Sequence, residues 1–336
     1  MIKQRFIWAD SLKGWLIILV VLGHALQNTL GVRCESNHLW NIIYSFHMPA
    51  FMAISGFLAY RPNDLQRKDI NYCLSLIYRR FQQLIVPFIL WSIMLMVINH
   101  SLSLNKATSL MLYPDGGLWF LWVLFIINVF FILGSWMAEC LKINEDYFII
   151  GIGLLLAGIM VAFDFRLFGF QFIAYYFLFY SLGYFLNKYN NRLVTKNKVV
   201  IIILSLIWLV LAWFWNMHEL PGFLNAIPLP HTLMQYFYRF ITAAIAIYVL
   251  VAISPLLLNK ENVFNQPFVR LGTISLGIYT THYILIGKIV GLCSSWGLND
   301  VFIIISSFII ALLGSWLIVW LLSKWKVTER LLLGKI

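Results

Sequence analysis

Ten runs of about twenty predominantly apolar residues follow one another along this chain. They lie at about 11–31, 40–60, 83–101, 118–140, 147–164, 168–187, 199–217, 234–253, 271–293 and 300–323. Each has about the length a bilayer demands of a spanning helix. Lipid offers no partner to a backbone N–H or C=O, so such runs must be helices or strands of a closed barrel. Barrel strands would alternate in ten-residue units, and these runs are continuous. The expected fold is an all-α polytopic membrane protein with about ten transmembrane helices. Composition agrees: 62% of the 336 residues are hydrophobic and 11% charged, where a soluble domain carries about 25% charged residues. No internal repeat is evident and no loop exceeds about twenty residues, so 1–336 is expected to form a single membrane domain. The fifth run is the shortest and its loop to the sixth (Asp164, Arg166) is thin, which also suits one broken re-entrant unit.

Orientation follows from the basic residues. If the N-terminus is cytoplasmic, 18 of the 24 Lys and Arg fall on the cytoplasmic side and five (Arg33, Lys106, Arg166, Arg239 and Lys288) on the other, with Lys13 inside a span. That split predicts both termini in the cytoplasm. The net charge of +11 is then loop bias, and no nucleic-acid partner is expected. Cys34, Cys73, Cys140 and Cys293 are scattered without metal-ligand spacing, so neither a metal site nor a structural disulfide is expected. No small-residue cleavage site follows the first run, which His24 and Gln27 interrupt, so it is not expected to be a cleaved signal. The segment 64–83 is basic and part-apolar, as in an amphipathic helix on the cytoplasmic surface, touching membrane lipid or a phosphorylated ligand.

The first run carries Asp10, Lys13 and His24. A charge inside a bilayer costs about 3 kcal/mol or more and marks function. Lys13 and His24 are eleven residues apart, about 20° from three full turns, which places them on one face roughly 16 Å apart along the axis. Gln27 and Asn28 continue that stripe. Asp10 is three residues before Lys13, at pairing distance on a helix; capping of the helix explains it equally well. In the second run His47 falls at a depth similar to that of His24. Pro49 can kink this helix, and Ser55-Gly56 admits the close approach of a backbone or a ligand. The ninth run adds Tyr279 and His282, three apart on one face. Trp119 opens the fourth run as a membrane-interface anchor or a ligand contact. The loops 101–117 and 217–233, the latter with His218, Glu219 and His231, connect spans or shape an acceptor site.

Residue chemistry thus predicts a polar, histidine-bearing interior with a basic cytoplasmic mouth. Three functions fit: an enzyme using histidine as a general base, a proton-coupled transporter or flippase, and a scaffold whose histidines bridge helices.

Five stretches, in order and over almost the whole length, resemble the acyltransferase 3 family of membrane O-acyltransferases, most closely its fucose 4-O-acetyltransferase-like branch. They are Asp10, Lys13 and His24; the Phe-His-Met-Pro run from Phe46 to Phe57; Arg79 to Pro87; Leu118 to Leu121; and Ser275, Tyr279 and His282. The resemblance implies transfer of an acyl group, usually acetyl, from cytoplasmic acetyl-CoA to a hydroxyl of an envelope glycan or lipid-linked sugar. The Ile-, Asn- and Phe-rich composition suits a bacterial inner (cytoplasmic) membrane, no metal is expected, and the partners allowed for include a second copy in a homo-oligomer. His24 would be catalytic, with Asp10, Lys13 and His47 beside it. Lys13, Arg79, Arg80 and Ser55 would meet the acyl donor, and Trp119, Tyr279 and His282 the acceptor. Where many members have a further Arg after the Arg pair, this chain has Gln82-Gln83. The esterase-like domain that some members fuse on is not expected here, so the acyl group would go to the acceptor directly or to a separate protein.

Overall fold

The computed structural model describes residues 6–61, 69–114, 117–163, 165–260 and 262–335. Lys3, Arg5, Arg67, Lys68 and Asp164, and the start of the 64–83 segment, lie outside them. Thirteen helices of eight or more residues organise the described chain: α1 (Ile7–Leu30), α2 (His38–Ala59), α3 (Ile70–Ile98), α4 (Leu104–Leu112), α5 (Trp119–Cys140), α6 (Glu145–Ala162), α7 (Phe170–Lys188), α8 (Lys198–Trp213), α9 (His231–Leu257), α10 (Gln266–Thr273), α11 (Ser275–Ser295), α12 (Asp300–Leu322) and α13 (Lys326–Leu333). The protein is an all-helical polytopic membrane protein. Each of the ten apolar runs falls on a helix. Eight of these, α1, α2, α3, α5, α6, α9, α11 and α12, are long and apolar enough to cross a membrane. Helix α8 is apolar but only 16 residues long, and α7 is interrupted by Tyr and Gln side chains. The fifth and sixth runs form two separate helices, α6 and α7.

The chain divides into two compact units. The first comprises residues 1–54 and 185–320, the second 55–184 and 321–336.

In the first unit α1 is the axis. Phe6 enters extended, Asp10 supplies a negative charge to the first turn, and Gly31 stops the helix at φ +56, where its N–H bonds Gln27 O. Glycine takes that conformation without the steric penalty other residues incur. Leu16, Ile17, Val20 and Val21 are fully buried. The short helix α10 crosses the N-terminal half of α1 at backbone contact. A Cβ at Gly14 would fall 2.0 Å from Phe268 O, and one at Gly272 would fall 1.7 Å from Asp10 O. Small residues at such crossings let helices touch through their backbones. Trp15 stacks on Phe268 at 3.9 Å. Ser11 donates to Asn265 Oδ1, and Asn265 Nδ2 in turn donates to Leu258 O and Lys260 O.

In the second unit α3 is one helix with a π turn at Phe81–Ile85. The amphipathic stretch therefore continues without a break into the third apolar run. Pro87 has no N–H to offer Gln83 O, its helical partner four residues back. Gly334, left-handed at φ +62, packs at that carbonyl, where an added Cβ would lie 2.2 Å from the oxygen. Trp91 Nε1 donates to Leu332 O at 2.9 Å, tying α13 to α3. Gly56 admits Tyr180 O of α7 to within 1.9 Å of a Cβ position, the backbone approach that Ser55-Gly56 suggested.

Candidate active site

Nearly five turns into α1, His24 is half-buried and faces Gln27, one turn further on. Its Nδ1 lies 3.1 Å from Gln27 Oε1. Tyr44 of α2 donates its hydroxyl to the same Oε1 at 2.7 Å, and its oxygen lies 3.4 Å from His24 Nδ1. Asn28 Nδ2 donates to His24 O, so it braces the backbone rather than the ring.

Two further imidazoles complete the cluster. The His282 ring of α11 sits with its centroid 5.2 Å from that of His24, and Tyr283 presents its ring edge-to-face at 5.4 Å. The ring of His47 meets Tyr44 at 4.7 Å. Both buried rings bond the carbonyl four residues back: His47 Nδ1 to Ile43 O at 2.7 Å and His282 Nδ1 to Ile278 O at 2.9 Å. A carbonyl only accepts, so each ring carries its proton on Nδ1 and, when neutral, keeps a lone pair on Nε2. His282 Nε2 is buried with no partner among the described residues. A buried acceptor left unmatched is costly and suits a site awaiting a donor. Tyr279 lies 6.0 Å from His282, centroid to centroid.

Asp10 and Lys13 pair at 2.8 Å one turn apart near the start of α1, with side chains 15% and 24% exposed. Lys13 keeps its place on the His24 stripe but makes its ion pair toward the helix start. The α1–α10 crossing fixes this end, since Gly272 rests on the Asp10 carbonyl itself.

The other candidates belong to the second unit. Arg79 is exposed and Arg80 half-buried. Arg80 Nη1 donates to Gln83 Oε1 at 3.0 Å, so one of the two glutamines after the Arg pair orients the guanidinium. Arg80 and Arg61 line a cavity of about 60 Å³, together with Asn128, Ser135, Tyr180 and Tyr184. Its polar wall is cross-linked: Tyr180 Oη donates to Asn128 Oδ1 at 3.1 Å, and Ser135 and Tyr184 both donate to Glu145 Oε1, at 2.6 and 3.1 Å. The two guanidinium groups are what this cavity offers an anion; the protons on its polar wall are already given to Asn128, Glu145 and Leu124 O. Ser55 is half-buried and does not line it. Trp119 stacks on Phe172 at 4.8 Å and on Tyr176 at 5.0 Å, in an aromatic cluster. Among the described residues no group of three His, Cys, Asp or Glu could hold a metal ion.

Sequence reasoning left Tyr44, Tyr283, Arg61, Asn128 and Glu145 out of the site. Tyr44 was findable, three residues before His47 on the same face, as was Asn128, an amide in mid-span. Arg61 and Glu145 look like ordinary end-of-helix charges.

Comparison with known proteins gives a family and two relatives. Two curated relatives are both described as nodulation protein NolL. That of Sinorhizobium fredii (strain NBRC 101917 / NGR234) is 42% identical over 94 residues, covering 26% of this chain and 24% of the relative. That of Mesorhizobium japonicum (strain LMG 29417 / CECT 9101 / MAFF 303099) is 31% identical over 133 residues, covering 37% and 34%. The chain thus spans about a quarter to a third of the length of the curated relatives it matches. No solved structure matches it. Residues 6–320 match the acyltransferase domain that defines the acyltransferase 3 family, and the chain belongs to that family.

Proposed function

We propose that this protein is a membrane O-acetyltransferase that moves an acetyl group from cytoplasmic acetyl-CoA to a sugar hydroxyl of an envelope or exported glycan. The fucose 4-O-acetyltransferase-like branch is the closest fit to its motifs. Ten spans with both termini cytoplasmic, in a bacterial inner membrane, complete the reading. The observation that carries it is the imidazole cluster: His24 with Nδ1 engaged by Gln27, and His282 Nε2 partnerless beside it.

A sugar hydroxyl is a weak nucleophile at neutral pH. His24 Nε2 takes its proton as the oxygen attacks the thioester carbonyl; the thiolate of CoA leaves, and the imidazolium proton neutralises it. Such base catalysis contributes about 10²–10⁴-fold. A route through an acetyl-histidine uses the same residue as nucleophile. His282 Nε2 and His47 accept hydrogen bonds from the sugar, and Tyr279 flanks it. Lys13, held by Asp10, suits a phosphate of the donor; Arg79 and Arg80 are assigned to the donor by the motif in which they stand. The rise of roughly 16 Å from Lys13 to His24 suits a pantetheine arm reaching inward. Trp119 offers an aromatic face to the acceptor, and Ser55 a hydroxyl to the donor.

The test is acetyl transfer and hydrolysis with radiolabelled acetyl-CoA by purified protein in nanodiscs, wild type against His24→Ala. Wild type should release label from CoA, and the variant should lose about 10²-fold or more. Full activity in a folded His24→Ala protein removes His24 from catalysis. Neither turnover nor CoA binding by the wild type overturns the acyl-CoA reading and moves the assay to transport across vesicles.

A further inference from the structure

We infer that Gln27, braced by Tyr44, is the positioning residue that makes Nε2 the basic nitrogen of His24; this rests on the reading of His24 as the base. Gln27 Oε1 is an acceptor and takes two donors, the Tyr44 hydroxyl at 2.7 Å and His24 Nδ1 at 3.1 Å. Both bonds are made only when Nδ1 carries the proton. The lone pair is then on Nε2, and the ring cannot turn over without breaking the Gln27 bond. A carboxylate in this role would stabilise the imidazolium by full charge. An amide does so by its dipole alone, and adds no net charge to a low-dielectric span, where a buried ion is costly.

The brace is built in. Tyr44 lies between Trp40, stacked at 4.0 Å, and His47, at 4.7 Å. It reaches Gln27 because residue 23 is glycine: a Cβ there would fall 2.9 Å from Tyr44 Cε2 and 3.4 Å from Ile43 Cγ2. The glycine just before His24 is thus the gap that admits the brace of its orienter. Among the described residues the titratable groups around His24 are Tyr44 and His47 from α2 and His282 and Tyr283 from α11. The cluster packed on Leu26 adds Cys34 and, from α9, Tyr238, whose hydroxyl donates to Leu211 O.

The experiment compares wild type with Gln27→Leu, Gln27→Glu and Tyr44→Phe in nanodiscs, by acetyl-CoA turnover across neutral pH and by ¹⁵N-histidine NMR. The His24 signal is the one lost in His24→Asn. Gln27→Leu should lower kcat about 10–100-fold, by analogy with the loss of a partner that orients a metal-bound histidine, with KM little changed. Its His24 signal should move away from the Nδ1–H tautomer. Gln27→Glu restores an acceptor and should recover turnover, with the acidic limb of the pH profile moved to higher pH because a carboxylate favours the charged ring. Tyr44→Phe should lose about tenfold or less, the worth of one hydrogen bond. Wild-type turnover, pH profile and tautomer in Gln27→Leu would overturn the inference. If His24→Ala retains activity, the base reading has failed instead, and the tautomer in Gln27→Leu still decides what Gln27 does. Should Gln27→Leu not fold, the Tyr44→Phe tautomer decides: no change in it overturns the brace.

Discussion

Gly272→Ala tests whether the α1–α10 crossing is set by backbone contact. The new Cβ would stand 1.7 Å from Asp10 O and 2.7 Å from its carbonyl carbon. Both neighbours are main chain in a helix and cannot swing aside. Real Cβ atoms keep about 3.0 Å or more, so the helices must part by roughly 1.3 Å, the difference between 3.0 and 1.7 Å. A gap of about 0.5–1 Å already forfeits a quarter to a half of the dispersion energy across it. The Trp15–Phe268 stack at 3.9 Å lies across this gap and is worth about 0.5–1.5 kcal/mol. The buried Ser11–Asn265 bond adds about 1–3 kcal/mol if it opens. Against these stands the better helix propensity of alanine, at most about 1 kcal/mol. The balance is a loss of about 1–3 kcal/mol, in the range of overpacked cores. The assay is the temperature of half-loss of monodisperse protein in detergent, with Gly158→Ala as the matched control. Gly158 has no atom within 4 Å of its Cβ position, so that variant should melt at or slightly above wild type. Gly272→Ala should melt several degrees below. Equal melting of the two variants would refute the backbone-contact argument.

Glu145→Ala removes the oxygen to which the buried Ser135 and Tyr184 hydroxyls both donate. It should cost about 1–3 kcal/mol, read as a lower melting temperature, with Glu145→Gln less affected because it keeps an acceptor. Arg33→Ala opens the Arg33–Asp300 pair, 3.0 Å long but with side chains 65% and 44% exposed. Exposed pairs contribute about 1 kcal/mol or less and are screened by salt, so its melting temperature should stay close to that of wild type; a large drop would mean the pair is shielded.

The helices were legible because a bilayer imposes length and apolarity on each segment independently. His24 and His47 could be set at one depth by counting from helix ends, and the structure joins them through Tyr44, with His282 alongside. Helix α10 escaped notice. Its eight residues span nothing, and its importance lies in Gly272, which in sequence looks no different from Gly158. Which glycine is a crossing and which faces open space is a property of the partner helix, so local pattern carries no trace of it. The same holds for Arg61 and Arg80, which line one cavity although they lie nineteen positions apart in the chain. Lys13 and His24 were placed by helical phase alone, which holds along one unbroken helix and nowhere else.

That limit has a consequence in α3. A π turn holds one residue more than an α turn. Residues before Phe81–Ile85 are therefore turned by about 100° relative to an uninterrupted helix running into Trp91. The phase between the arginine pair and the apolar half of α3 is thus written in chain length rather than in side-chain identity. Substitutions across these five residues leave the count intact. Loss of a single one would restore an α turn, and the guanidinium groups would swing around the helix to another face without any arginine having changed.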